Sequence, residues 1–398
     1  MMAWLVAAAT APVLTVASLS PYVGPLDRPR HPIQGVPAFH RSADRAVHPP
    51  ASPGRALFND PLGSERRQFA LIRRIDARID GAGRSSVVRL AAYSFAMPST
   101  AQALLRAHRR GAAVKVVVDS HSARWGSVRN LRHKLGGNRH HRSFLLLCRH
   151  SCRGEVGNQH AKFLTISHTG RRNDVVMVGS MNFTAFAAAG QWQDLYSVAG
   201  NARLYGQFVR VFKQMTHDRL QPRIHLREPG EGFRTEVAPL TGRPTVDAVS
   251  RRLGSVHCRG ATGRTGIRGR TLLRVSMHAW NGDRGVRLAH QVVGLSRAGC
   301  DVKVLVGVGV GRQVASILRR GRVSFRGAHP DRPATHQKLM VVSGHYGRHG
   351  NASYVWTGSQ NWTDRSLRND EVTLRVAGAR QVATYLDDFN RIWHSLGR

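Results

Sequence analysis

The sequence predicts an α/β protein assembled from two repeated halves, and three observations predict it. Each half carries a strand–helix–strand run. Each half contains the same short motif, His-x-Lys followed by an apolar run and then Gly-Ser-x-Asn-x-Thr. The spacing between matching positions stays nearly constant along the chain.

The first half opens with SSVVRLAAYSFA, an apolar strand. STAQALLRAHRRG reads as the helix that follows, with Ser99 or Thr100 as its cap and Gly111 as its stop. AAVKVVVD is then a buried strand. The second half repeats the order with TLLRVSMHAW, GVRLAHQVVGLSRAG and CDVKVLVGV. Strand, helix, strand implies a parallel βαβ unit in each half. Val87 and Leu272 lie 185 residues apart, Lys115 and Lys303 188, His160 and His336 176, and Gly179 and Gly358 179. Small drifts in offset are loop insertions within a duplicated unit. Shared βαβ patterning alone would not place four of only six lysines at matching positions, Lys115/Lys303 and Lys162/Lys338.

Around these halves, residues 1–25 read as an export signal: the run MMAWLVAAATAPVLTVASLS is apolar and ends in small residues, although no basic residue precedes it. Residues 26–54 form a linker rich in Pro and Arg, 55–228 the first half, 229–245 a connector rich in Gly and Pro, and 246–398 the second half. The expected location is extracellular. A formal charge of +37 favours polyanions such as nucleic acid or an anionic membrane surface. Most of that charge is Arg spread along the chain, so it is also what an Arg-rich composition would give anyway. The four cysteines, Cys148, Cys152, Cys258 and Cys300, fall two to a half. The simplest of the three pairings is Cys148–Cys152 with Cys258–Cys300.

Each half offers a His, a Lys, a Ser and an Asn, and neither half alone makes a complete site. Brought face to face, the two sets suit cleavage of a phosphodiester. One imidazole can attack phosphorus and carry it covalently; the other can protonate the leaving oxygen and then activate water. Two ammonium groups would neutralise the non-bridging oxygens. On a strand, residues i and i+2 share a face, so His160 with Lys162 and His336 with Lys338 would each line one cleft. No metal or other cofactor is expected, since a hard cation wants clustered carboxylates and neither His-x-Lys nor Gly-Ser-x-Asn-x-Thr contains an acidic residue in either half.

HAK…GSMN and HQK…GSQN resemble the paired motifs of the phospholipase D superfamily, and CRHSCRGEVGNQHAKF resembles its secreted bacterial members. The resemblance covers nearly all of the chain beyond residue 55. It implies two pseudo-symmetric α-β-α sandwich halves with largely parallel or mixed central sheets and an active site between them. It further implies His160 as nucleophile, His336 as acid and then base, and Lys162, Lys338, Ser180, Ser359, Asn182 and Asn361 as phosphate-binding residues. The family places an Asp after each motif Lys with four residues between; here Ser167 and Ser343 stand there. A further family carboxylate orients the opposite His, and Asp194 and Glu371 are the candidates, with Asp370 a rival to Glu371. The function so implied is secreted, metal-independent phospholipid hydrolysis by a monomer. The alternatives are a nuclease and an inactive polyanion-binding member.

Overall fold

The computed structural model describes residues 54–222, 232–239, 247–329 and 331–396. The expected export signal and nearly all of the expected linker lie outside these residues, as does most of the expected connector. The first half runs β1 (Arg55–Phe58), α1 (Glu65–Gln68), α2 (Ala70–Asp80), β2 (Val87–Ala92), α3 (Pro98–Arg109), β3 (Ala113–Asp119), α4 (Gly126–Leu135), β4 (Phe144–Cys148), β5 (Phe163–Thr169), β6 (Arg172–Gly179), α5 (Ala185–Ala189), β7 (Gln191–Trp192), β8 (Asp194–Val198) and α6 (Ala202–Met215). The second runs β9 (Phe233–Ala238), α7 (Ala248–Gly254), β10 (Val256–His257), β11 (Leu272–Trp280), α8 (Gly282–Arg297), β12 (Asp301–Val310), α9 (Arg312–Arg320), β13 (Ser324–Arg326), β14 (Ala334–Thr335), β15 (Lys338–Tyr346), β16 (His349–Gly358), β17 (Glu371–Ala377) and α10 (Ala379–Ser395).

Each half builds a mixed sheet. The first has the order β1-β8-β6-β5-β2-β3-β4, the second β13-β12-β11-β15-β16-β17-β9. Both expected βαβ units are present: β2 pairs parallel with β3 across α3, and β11 with β12 across α8. The strand after each motif Lys then joins antiparallel, β5 on β2 and β15 on β11, which puts both histidines at the same end of their sheets. Two details differ from the sequence reading. Helix α3 starts at Pro98, whose fixed φ suits a first turn, so neither Ser99 nor Thr100 caps it. Phe233–Ala238, read as connector, is an edge strand on β17, too short a run to show a period.

Side chains alternate between two cores along each central strand. Val88, Leu90 and Val116 face an outer core under α2, α3 and α4. Ala91, Val117, Phe163 and Val178 face the other way, into a core shared with Leu339, Val341, Val355 and Val372 of the second half and closed by α6 and α10. Burying one such Phe or Val contributes about 1.5–3 kcal/mol. The second half has its own outer core, with Cys258 and Cys300 within it. Both disulfides form as the half-by-half pairing expected, Cys148–Cys152 and Cys258–Cys300. The shared core fixes the two halves against each other and so fixes what meets at their common edge.

Candidate active site between the halves

The motif segments are exchanged between the halves. His160 N–H donates to Asp370 O (3.1 Å) and His336 N–H to Trp192 O (2.9 Å). Short bridges, Gln159 to Asp370 and β14 to β7, repeat the exchange. Each histidine is thus held by the segment that follows the other half's Gly-Ser-x-Asn.

The same exchange sets the rings. His160 Nδ1 donates to both carboxylate oxygens of Glu371 (2.9 and 3.0 Å). Glu371 is itself held by Ser359 Oγ and Asn369 Nδ2. His336 Nδ1 bonds Gln193 Oε1 (2.9 Å), which also accepts from Ser180 Oγ (3.0 Å). Gln193 Nε2 donates to Ala187 O, so the amide is oriented with its oxygen toward the ring. Both imidazoles therefore carry hydrogen on Nδ1 and keep a lone pair on Nε2. The residue facing His160 is a carboxylate, and its counterpart facing His336 is a neutral amide.

Several expected positions are corrected by this arrangement. Asp194, proposed to orient His336, lies one residue past the position that does so. It points instead to Thr357 and Tyr385 of the second half (Tyr385 Oη to Oδ2, 3.2 Å), and burial pushes its carboxyl up. Ser180 and Ser359, expected on the phosphate, are fully buried and hold Gln193 and Glu371; they also accept from Asp194 N and Val372 N. Asp370 turns away from the rings and accepts from Cys152 N, inside the small disulfide loop, and burial pushes it up to about 7. Asn361 Oδ1 accepts from Ala279 N (3.2 Å). Asn182 Oδ1 is buried and meets no donor among the described residues. Ser167 and Ser343, where the resemblance calls for Asp, accept from Val87 N and Gly266 N at the far ends of their strands.

Both lysines lie with the histidines, buried and two positions on in the chain, Lys162 just before β5 and Lys338 as the first residue of β15, so the histidines precede the strands on which the sequence placed them. Lys162 Nζ donates to His160 O (2.7 Å) and Lys338 Nζ to His336 O (2.6 Å), while Lys338 Nζ also lies against the His336 ring, 3.0 Å from Nδ1 and 3.2 Å from Nε2. The four groups sense one another across the two halves. Burial lowers His160 to about 4, against the pull of Glu371 and helped by Lys162 and Lys338. Burial lowers Lys162 to about 7. Burial and then Lys338 push His336 well below its ordinary value, and burial and then Lys162 do the same to Lys338. A site that penalises its own cations in this way is primed to accept an anion.

Two further residues belong here and were not singled out from the sequence. Tyr93 packs edge-on against His160 (ring centroids 4.8 Å) and lies beneath Lys162 Nζ (5.2 Å). His278 packs on His336 (4.2 Å) and its Nδ1 is buried without a partner among the described residues. Burial, then Lys338, lowers His278 to about 3. The signal was available: Tyr93 and His278 are 185 residues apart, the offset that already aligns Val87 with Leu272.

The profile described as cardiolipin synthase, PLD-like domain, matches residues 75–216 and 271–393. A search of curated proteins gives no significant match. Among solved structures, phosphatidylserine synthase from Haemophilus influenzae Rd KW20 superposes with a TM-score of 0.55 at 14% identity, over 86% of this chain and 88% of that one. Polyphosphate kinase from Porphyromonas gingivalis gives a TM-score of 0.57 at 16% identity, over 84% of this chain. The chain spans only 46% of that kinase's length. At these identities the likeness is one of fold.

Proposed function

Because the chain belongs to the phospholipase D-like family, we propose that it cleaves phosphodiesters through a covalent phosphohistidine on His160. The observation that carries the assignment is the unequal pairing of the two rings, Glu371 on His160 and Gln193 on His336. His160 Nε2 attacks phosphorus, the bond to the leaving oxygen breaks, and the ring acquires positive charge. Glu371 at Nδ1 offsets that charge through a charge-assisted hydrogen bond, worth about 1.5–3 kcal/mol. Gln193 offers His336 no such charge, which suits a ring that must give its proton away. His336 Nε2 passes a proton to the leaving oxygen. It then takes one from water as the water oxygen displaces His160 and releases the phosphomonoester. An anionic substrate between Lys162 and Lys338 relieves their mutual repulsion, so both ammoniums and the imidazolium of His336 form most readily when substrate is bound.

The substrate we propose is a phospholipid. In support, three large apolar side chains are exposed: Val156 in the loop that precedes His160, Phe186 on α5, which follows the first Gly-Ser-x-Asn, and Val308 near the end of β12. Gly157, beside Val156, has φ +88 and lies where a Cβ would strike Arg368 O. Gly307, beside Val308, leaves no room for a Cβ against Thr335 O. The loop carrying Val156 and the end of β12 carrying Val308 are therefore pressed onto segments that lead into Glu371 and His336. The charge of +37 favours a second reading, a nuclease. Two disulfides support residence in an oxidising compartment, in keeping with the expected export. Head-group release from phosphatidylcholine vesicles and nicking of plasmid DNA, each with wild type and His160→Ala, test the reading. Release of head group that vanishes in the variant is expected; nicking without release would replace the lipid by nucleic acid.

A further inference from the structure

A second basic site lies at the far end of the first sheet. Strands β6 and β8 carry Gly179 and Asp194 at the end nearest the histidines and Arg172 and Ser197 at the other. Seven residues separate Arg172 from Gly179 along β6, about 23 Å of strand. At that far end a cavity of about 420 Å³ is lined by Arg55, Arg74, Arg78 and Arg172, with Leu57 and Val175 among its apolar walls. The volume lies in the range that takes a small ligand of nucleotide size.

The four arginines come from three separate elements. Arg74 and Arg78 stand four apart on α2, one above the other on the same face. Arg55 starts β1 and Arg172 starts β6. Among the described residues none of the four enters an ion pair, although Arg67, Arg106, Arg110, Arg252, Arg274, Arg284 and Arg391 all find carboxylates. The repulsion is felt: after burial, the charges of Arg172 and Arg74 are what lower Arg78. Like charges at i and i+4 already cost a helix stability, and here two more converge on the same concave surface. Guanidinium forks set around a cavity are the geometry that grips phosphate oxygens in pairs.

We infer that this cavity is an anion-binding site separate from the catalytic histidines, and that it takes a diphosphate group, whether as the free anion or on a nucleoside. Two linked phosphates supply enough oxygens and charge to engage the four arginines at once, which a single phosphate does not. The site rests on its own residues and stands whether or not the chain cleaves lipid.

Calorimetric titration at constant ionic strength with inorganic pyrophosphate, ADP and inorganic phosphate tests the inference. The proteins are wild type, Arg74→Gln/Arg78→Gln, and the control Arg129→Gln/Arg132→Gln on exposed α4. Pyrophosphate or ADP should bind wild type and the control equally, and the Arg74/Arg78 variant about tenfold or more weakly. Phosphate should bind all three weakly. ADP tighter than pyrophosphate would assign the nucleoside source, and equal affinity the free anion. The Arg74/Arg78 variant should also be at least as thermostable as wild type without ligand, because a repulsion is removed. It should cleave bis-p-nitrophenyl phosphate at the wild-type rate. Equal loss in the control variant, or no loss in either, would overturn the site and reduce the effect to general charge.

Discussion

Replacing Glu371 by Gln makes the two histidines' partners alike and tests the unequal pairing directly. The amide still accepts from His160 Nδ1, so the tautomer and ring position survive. What is lost is the charge. Glu371 is buried and meets His160 Nδ1 at 2.9 and 3.0 Å. Going from a charge-assisted to a neutral hydrogen bond removes about 1–2 kcal/mol, and a full charge about 4 Å away at an effective dielectric of 20 is worth about 4 kcal/mol. The cationic phosphohistidine should therefore lose about 2–4 kcal/mol of support, or about 30- to 900-fold in kcat/KM. Initial rates on bis-p-nitrophenyl phosphate measure it, with thermal unfolding as the control for folding. Unfolding should change little, since removing a buried carboxylate also removes its desolvation penalty. A loss below about threefold would refute the claim that Glu371 supports charge on His160.

Other outcomes follow from the same geometry. The pH profile of kcat/KM should rise through about 4, as His160 loses its proton and becomes nucleophilic, and fall through about 7, as Lys162 loses the charge that binds phosphate. A profile flat between 7 and 10 would remove Lys162 from that role. His278→Ala opens the space against His336 and should lower kcat more than it raises KM, with His278→Tyr, the residue its counterpart carries, restoring part of the activity. Equal activity in all three would leave His278 a packing residue. The Cys258–Cys300 bridge closes 42 residues and Cys148–Cys152 only 4. Loop entropy then predicts about 4 kcal/mol lost on replacing the first pair by serines and about 2 kcal/mol for the second. Denaturant unfolding checks the order.

Much of this was legible in the sequence because it is written twice. The βαβ units and the paired motifs follow from positions that recur, and repetition separates a site from ordinary patterning; the disulfide pairing followed from the cysteines falling two to a half. Even so, Lys115 and Lys303 recur without joining the site; they sit mid-strand over Phe144 and Trp393. Asp194 was misassigned because an acid was sought where the pseudo-symmetry supplies an amide. Counting from the serines gives the register: Ser180 N–H donates to Asp194 O as Ser359 N–H donates to Val372 O, so Gln193 is the counterpart of Glu371. A slip of one residue turns a strand side chain to the opposite face, and Asp194 accordingly reaches Tyr385 rather than His336. The serines looked like phosphate ligands because their hydroxyls fit that task, but burial beneath the strand ends commits them to the partners of the rings. The arginine cavity was invisible for another reason. Its residues are far apart in sequence and carry no period, and only the folded sheet brings them together.

Mass analysis of the trapped intermediate tests the central claim most directly. In His336→Ala, p-nitrophenolate needs no proton to leave, so bis-p-nitrophenyl phosphate should give a burst of about one equivalent and then stall for want of a base. Peptide mapping of the stalled protein should then find the p-nitrophenyl phosphoryl group on His160. The same adduct on His336 in His160→Ala, with none on His160 in His336→Ala, would contradict the account.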